Sequence, residues 1–418
     1  MLTGALLILI FLGMVVLMYL EKISALLAVP IMALLFAVVA RVPLDYILHE
    51  ILENGASRLS SAYLAAIFGG MLALFIKNQG IGERLVRFAA ELAGSHPLGI
   101  GLTLMAVTGL LFSTLGGLGA VIMVGTIILP ILLSLGVPPT ISAGIMLIGI
   151  SMGGCLNIGN WQLYMDLLKI PKAEVMKFEL VVVGLHAVVG VLFAFFFLRR
   201  NKLLRYWTAE AEGGAQAKRA PAIALLTPII PLAMVLIFDW PIVPAFIFGL
   251  VYALATTWRK NSLQIFTKSL FEGVESVAPA VILLIGIGML LKAVTHANVA
   301  NALQPYLQYI IPNSPMAYVA VFTVLAPLAL YRGPLNIWGM GSGLATILLS
   351  TKALPPEAIM GVLISVGMIQ GVCDPTNTHN VWIANYVSVE PTEIMKKLMP
   401  FIWMMTTAAL AVAAVLFM

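Results

Sequence analysis

Apolar stretches long enough to cross a bilayer, on the order of 20 residues each, follow one another along this chain with short polar breaks between them. This pattern predicts an all-α polytopic membrane protein. In the first half, simple spans are predicted at 3–20, 24–41, 59–77 and 177–198. The second half repeats the order, with spans at 221–238, 241–257, 275–294 and 395–417.

Each half also contains segments that are not simple spans. Charged residues alternate with apolar ones at 81–94, which predicts a helix that lies along the membrane surface. A second surface helix is predicted at the corresponding position of the other half, 297–310. Four further segments are interrupted, by glycines at 97–135 and 315–350 and by polar residues at 138–168 and 356–386. The glycine-broken segments are either re-entrant hairpins or pairs of full spans, so each half has five or seven crossings.

The two halves share an ordered series of sequence matches. Gly-Met-Leu at 70–72 recurs at 288–290, an offset of 218, and the Pro-Pro pair at 138–139 recurs at 355–356. These offsets predict a first repeat at 1–205, a linker at 206–220 and a second repeat at 221–418. Because either crossing count per half is odd, the second repeat is predicted to insert upside down relative to the first, as in many secondary transporters.

Composition supports a location in the membrane. Hydrophobic residues make up 61% of the 418 positions and charged residues 10%, against about 25% charged in soluble proteins. Most Lys and Arg residues collect on one side of the predicted layout, which places that side in the cytoplasm and both termini outside a bacterial-type plasma membrane. The basic balance comes from loops and indicates no nucleic-acid partner. Two cysteines in apolar surroundings, without zinc-type spacing, predict neither a disulfide nor a metal site.

Polar residues within the predicted membrane region mark a substrate site. Unwound backbone survives there only where protein or water covers it, and half-helices at such breaks offer N-terminal dipoles to anions. The break at 371–380 is a surface loop in the alternative interpretation, which its interrupted counterpart at 154–160 disfavours. The predicted substrate-binding residues are Ser113, Thr114, Gly116, Gly117, Gly119, Asn157, Asn160, Arg332, Gly333, Asn336, Thr376, Asn377 and Thr378.

Three residues of the last break are predicted to hold a coupling ion, H⁺ or Na⁺: Asp374, His379 and Asn380. Asp374 is equally suited to cap the half-helix that follows it. His379 titrates in the physiological range unless it only hydrogen-bonds in place. Arg332 either reaches a membrane interface or binds a carboxylate through two parallel hydrogen bonds. No cofactor is expected beyond a possible Na⁺.

The order of parts resembles the ion transporter superfamily, and the resemblance covers nearly the whole chain. It rests on hairpins that turn at residues 116–119 and 333–336, each followed by a helix broken at 157–160 or 374–380. The similarity points towards citrate and gluconate permeases and divalent anion symporters. It implies a homodimeric, inverted-repeat transporter in which a transport domain slides as an elevator against a scaffold. The Ser-Asn-Thr signatures of the sodium–dicarboxylate branch are absent from both hairpin tips.

The sequence therefore predicts an ion-coupled secondary transporter of a small organic anion, a carboxylate, rather than an enzyme. A cation/proton antiporter in which Asp374 carries the ion is the alternative within transport. An intramembrane zinc protease is disfavoured because Glu53, and not a histidine, completes the pattern that begins at His49 and Glu50. The absence of a Walker-type phosphate loop disfavours ATP hydrolysis by this chain. A channel is a further option.

Overall fold

A computed structural model describes residues 2–20, 22–94, 96–199, 220–307, 311–312, 314–339, 341–352 and 354–418. Helices account for all the regular secondary structure in these ranges, as the apolar pattern predicts. The predicted linker at 206–220 lies outside the described residues except for Ala220.

The first half forms eleven α-helices over the described residues 2–199. A π-helical segment at Ile47–Asn54 joins α3 to α4. The helices are α1 Leu2–Tyr19, α2 Ala25–Val39, α3 Leu44–Tyr46, α4 Gly55–Ser57, α5 Ser60–Asn78, α6 Ile81–Leu92, α7 Pro97–Phe112, α8 Gly117–Ser134, α9 Pro139–Leu156, α10 Ile158–Leu168 and α11 Lys172–Leu198.

The second half follows nearly the same order in its described part. Short 3₁₀ segments lie at Ala222–Leu226 and Ala326–Arg332. The α-helices are α12 Ile230–Ile237, α13 Ile242–Thr256, α14 Ser262–Thr295, α15 Ala297–Leu307, α16 Pro315–Leu325, α17 Gly341–Ser350, α18 Pro356–Cys373, α19 Thr378–Tyr386 and α20 Pro391–Phe417. Helices α9 and α18 are each 18 residues long, and α11 and α20 are each 27.

Helices of membrane-spanning length coincide with the predicted spans at 59–77, 177–198, 275–294 and 395–417, whereas shorter apolar helices lie at those predicted for 3–20, 24–41 and 241–257. Seven helical segments in the described part of the chain are long and apolar enough to cross a membrane. Both glycine-broken segments are interrupted, at 113–116 between α7 and α8 and at 333–339 before α17. Both polar breaks separate pairs of helices, α9 from α10 and α18 from α19.

Three elements differ from the prediction. The span predicted at 221–238 is a 3₁₀ turn followed by the eight-residue α12, because Pro228 and Pro231 remove backbone donors and clash with the preceding turn. Residues 44–57, between the spans predicted at 24–41 and 59–77, are helical. Helix α14 begins at Ser262, well before the predicted 275. Polar residues interrupt the apolar pattern at 44–57 and in the first turns of α14, so the pattern does not predict helix there.

The two broken helices lie at the centre of the molecule. In its most apolar stretch, α9 is 67% buried and the α18–α19 segment 72%, against 33% for α11 and 39% for α20. The outer faces of the peripheral helices carry large apolar side chains such as Leu9, Val191 and Phe196. This distribution is that expected of a chain whose outside faces lipid and whose polar residues are kept inside.

Helices α4 and α5 cross α14 through two glycine pairs. A Cβ at Gly288 would lie 2.2 Å from the Gly55 carbonyl oxygen, and a Cβ at Gly70 would lie 2.8 Å from the Gly273 carbonyl oxygen. Because 55 pairs with 288 and 70 with 273, the two chain segments run antiparallel. Only glycine allows backbones to approach so closely, the role that small residues have between membrane helices.

Candidate functional site

Side chains replace the backbone hydrogen bonds that are lost at the first helix break. Asn157 has an extended backbone between α9 and α10, and its Oδ1 accepts from the Gly159 N–H at 3.0 Å. Asn160 Nδ2 donates to the Gly154 carbonyl at 2.9 Å. Trp161 Nε1 donates to the Cys155 carbonyl at 2.7 Å. The break is thus a built feature whose buried polar groups have partners.

Side chains also bridge the second break. Asp374 Oδ1 accepts from the Thr376 N–H at 2.9 Å and from its hydroxyl at 2.7 Å. Asn380 Nδ2 donates to the Val372 and Asp374 carbonyls at 3.1 and 2.9 Å. Asp374 and Thr376 follow Asn157 and Gly159 by 217 positions. The same two-residue turn therefore occurs in both halves, with a carboxylate in the second and an amide in the first.

Replacing Asp374 by asparagine is expected to leave thermal stability unchanged, because Asn157 makes the matching bond with a neutral amide. Asp374→Ala removes both bonds and is expected to cost about 1 kcal/mol, the usual value for a lost cap. Thermal unfolding of the two variants, purified in detergent, measures the difference. Equal losses in both variants would show that the charge, rather than the turn, holds this break.

A cavity of about 300 Å³ lies between the two breaks, and it is called the main cavity below. The first break contributes Gly154 and Asn160, and the second contributes Gly371, Asn377 and His379. Trp338, from the turn before α17, closes another side. The complete lining is Ile150, Ser151, Gly154, Cys155, Asn160, Leu163, Tyr164, Glu179, Ile337, Trp338, Gly367, Met368, Gln370, Gly371, Asn377 and His379.

A second cavity of about 250 Å³ shares Trp338, Gln370 and Asn377 with the main cavity. Asn336 and Asp374 line it, together with residues of α2 and α14. Asn336 Oδ1 accepts from the Trp338 N–H at 2.9 Å, which fixes the turn that carries both side chains. Three side chains thus lie between the two spaces and separate them.

The structure brings part of the predicted site together. Asn160, Asn377 and His379 line the main cavity, and Asn336, Asp374 and Asn377 line the second. His379 Nε2 lies 3.2 Å from both the Gly371 carbonyl oxygen and Asn377 Nδ2. These residues come from both halves of the chain, so the cavities lie where the halves meet.

Other predicted residues lie away from the two cavities. The Ser113 and Thr114 hydroxyls donate to carbonyls of their own helix, at 2.7 and 3.3 Å. Gly116 and Gly117 are exposed at the turn before α8, where Gly117 has a φ of +76°.

Most of the remaining predicted residues lie in turns, in the helix breaks or at helix ends. A Cβ at Gly119 would lie 3.4 Å from Lys77 Nζ. The Gly333 N–H closes a turn on Leu330. Asn157, Thr376 and Asn380 are engaged within the breaks, and Thr378 begins α19. The Arg332 side chain lies outside the described residues.

Sequence reasoning missed the polar residues on helix α11. Glu179 is 3% exposed and lines the main cavity. His186, two turns further on, is fully buried. Its Nδ1 donates to the Val182 carbonyl at 3.0 Å, and its Nε2 lies 3.0 Å from the Ser151 hydroxyl. The signal was available, because an ionisable residue inside an apolar span is by default a functional candidate. Their spacing of seven also places both on one helix face.

Comparisons with known proteins identify the kind of molecule. A family model described as "Tripartite ATP-independent periplasmic transporter, DctM component" matches residues 3–418. The crystal structure of the YdaH transporter of Alcanivorax borkumensis superposes with a TM-score of 0.65 at 13% identity, covering 88% of this chain and 87% of that one. The structure of Neisseria gonorrhoeae MtrF, of a class of antimetabolite efflux pumps, gives 0.58 at 10% identity, covering 89% and 83%. These two likenesses show the fold alone. No curated protein matches the chain.

These comparisons correct one prediction. The assignment to the ion transporter superfamily, near citrate and gluconate permeases and divalent anion symporters, is wrong, because the matching family model is that of DctM and the similar structures are YdaH and MtrF. The resemblance rested on the order of hairpins and broken helices, which transporters of different families share. No side chain at the hairpin tips carried a signature that separates them.

Proposed function

Since the chain belongs to the DctM component family of tripartite ATP-independent periplasmic transporters, we propose that it carries a small organic anion, a carboxylate, through the main cavity, driven by a gradient of H⁺ or Na⁺. The family is a membrane component of secondary transporters for organic acids, and the chain is not an enzyme. The observation that carries the proposal is the main cavity, which both broken helices line with amide side chains.

The chemistry of the main cavity suits a carboxylate. Asn160, Gln370 and Asn377 are amides with two N–H donors each, and Asn160 uses one of them on Gly154. Helices α10 and α19 begin next to the cavity, and the positive ends of their dipoles favour negative charge. A site of this kind binds an anion through oriented neutral groups, so that binding remains reversible.

An inverted repeat is part of the proposal. Position 55 lies 218 residues before 273, and position 70 lies 218 residues before 288. The two glycine contacts between α4–α5 and α14 therefore exchange when the halves are exchanged, as contacts across a two-fold axis do. The matched segments, α4–α5 and α14, run antiparallel, which supports a two-fold axis that lies in the membrane plane. The homodimer and the elevator motion were implied by the resemblance to the ion transporter superfamily, which the match to the DctM family model replaces.

The coupling ion needs a group that can bind a cation near the substrate. Two buried carboxylates border the cavities: Asp374 is fully buried, and Glu179 is 3% exposed. One Asp374 oxygen already accepts two hydrogen bonds within its turn. The Asn380 amide nitrogen is bonded to two carbonyls, and His379 faces the main cavity. A cation bound at either carboxylate lies within the region that the substrate occupies.

Uptake measurements test the proposal. Vesicles containing the chain with the other two components of its transporter are expected to accumulate at least one acid from a panel of radiolabelled succinate, citrate, gluconate and lactate. Arg332→Ala is expected to lower that uptake by about tenfold, the effect of losing one charge-assisted hydrogen bond. Lys260→Ala, which changes an exposed loop cation, is the matched control.

Two results would contradict the proposal. Exchange of Na⁺ for H⁺ without uptake of any acid would make the protein a cation/proton antiporter instead. Uptake that rises without saturation at increasing acid concentration would indicate a channel. Arg332 is carried into the proposal by its sequence context, and unchanged uptake by Arg332→Ala would remove it from the site while leaving the transport of acids in place.

A further inference from the structure

Glu179 is a buried carboxyl group with an unsatisfied oxygen at the wall of the main cavity. It lies on α11, two turns into the helix, and it is the residue of α11 that lines the main cavity. Its side chain interacts with the Cys155 thiol, and no described group hydrogen-bonds its Oε2. A carboxyl oxygen that is shielded from water and left without a donor is expensive to keep ionised.

The described groups around Glu179 offer contacts to neutral side chains. Cys155 on α9 and Tyr164 on α10 are neutral donors, and His379 on α19 lines the other side of the cavity. His186 on α11 has both ring nitrogens engaged, Nδ1 with the Val182 carbonyl oxygen and Nε2 with the Ser151 hydroxyl. Among the described residues that line the cavity, none is a lysine or an arginine. In this surrounding the neutral acid costs less free energy to bury than the carboxylate does.

We propose that Glu179 binds the coupling proton, an inference that rests on the proposed function and names its driving ion. When the cavity is open to water on one side, a proton from that water adds to a carboxylate oxygen and gives the carboxylic acid. The acid remains neutral while the cavity is closed. When the cavity opens on the other side, the O–H bond breaks and the proton returns to water, which regenerates the carboxylate.

The same geometry couples the proton to the substrate. The main cavity, at about 300 Å³, places a bound organic anion close to Glu179, and two negative charges at such a distance repel strongly in a poorly solvated space. Binding of the anion therefore favours the protonated carboxyl group, and protonation favours anion binding to the same extent. Movement of both together is symport.

Infrared spectroscopy of the purified chain tests the protonation without a substrate. The carbonyl stretch of a neutral carboxylic acid is expected in the wild type at neutral pH and is expected to disappear in Glu179→Gln. Glu174→Gln, five residues earlier on the same helix and only half-buried, is expected to leave that band unchanged. A spectrum in which Glu179→Gln removes no neutral-acid band overturns the proposal.

Transport measurements test the coupling. In sodium-free vesicles clamped at zero potential, a pH gradient is expected to drive accumulation of the acid identified in the uptake panel. In Glu179→Gln this accumulation is expected to fall at least about tenfold. The exchange of internal for external acid is expected to keep a near-normal rate, because the neutral amide resembles the protonated carboxyl group. Glu179→Asp, which keeps a titratable group, is expected to restore part of the response.

The outcomes separate this inference from the proposed function. Accumulation driven by a Na⁺ gradient and unaffected by a pH gradient overturns the role of Glu179 while leaving acid transport intact. Equal losses of accumulation and exchange in Glu179→Gln also overturn it, because they indicate a structural role. If no acid of the panel is transported, the proposed function fails, and the infrared measurement alone decides whether Glu179 carries a proton.

Discussion

Gly154→Leu is expected to reduce acid uptake to the level of empty vesicles while the protein remains folded. Gly154 lies at the wall of the main cavity, in the last turn of α9. A Cβ at this position would meet no heavy atom within 4 Å, so a larger side chain is accommodated without moving the backbone. Because Gly154 lines the main cavity, an isobutyl group at this position would occupy part of the volume in which the anion binds.

Gly184→Leu is the matched control for this variant. Gly184 is also helical, also has no atom within 4 Å of a Cβ, and is exposed on the outer face of α11. Uptake by Gly184→Leu should equal that of the wild type. If folded Gly154→Leu protein transported normally, the main cavity would not lie on the path of the substrate.

The second large effect concerns folding. Gly288→Ala is expected to destabilise the protein by about 3 kcal/mol or more, at the upper end of overpacking effects, because its Cβ would lie 2.2 Å from the Gly55 carbonyl oxygen. A backbone oxygen cannot swing aside as a flexible side chain can. The crossing of α4–α5 with α14 would have to open, although alanine itself favours a helix over glycine by up to about 1 kcal/mol.

Gel filtration of detergent extracts measures this effect as the loss of the monodisperse peak. Gly184→Ala, where the added methyl group meets nothing within 4 Å, is expected to keep the peak and to be slightly stabilised. Normal recovery of Gly288→Ala would show that α14 is not held at this crossing. The contact between Gly55 and Gly288 would then no longer support the proposed inverted repeat.

The sequence predicts the order of the helices because burial in lipid leaves a strong local signal. Breaks in α9–α10 and α18–α19 are visible for the same reason, since polar residues such as Asn160 and Asn377 are rare within apolar spans. The apolar pattern does not predict the helix at 44–57, because charged residues interrupt the pattern there although the backbone still forms helical hydrogen bonds. The shortening of α12 follows from Pro228 and Pro231, which a search by hydropathy ignores.

The site is less accessible from sequence than the fold. The hairpin glycines were expected at the substrate, yet Gly116 and Gly117 are exposed at their turn, because the position of a turn in space depends on packing between distant elements. Glu179 was passed over because it lies near the end of an apolar span and away from any break. The arrangement of α11 against the two helix breaks, α9–α10 and α18–α19, brings it to the same cavity as Asn160 and Asn377.

The central claim is that the organic anion binds between the two broken helices. A cryo-electron microscopy structure of the protein with the acid identified in the uptake panel tests it most directly. The account predicts density for the acid in the main cavity, within hydrogen-bonding distance of Asn160 and Asn377. Density for the acid at the exposed turn of residues 116–119, with the main cavity free of it, would contradict the account.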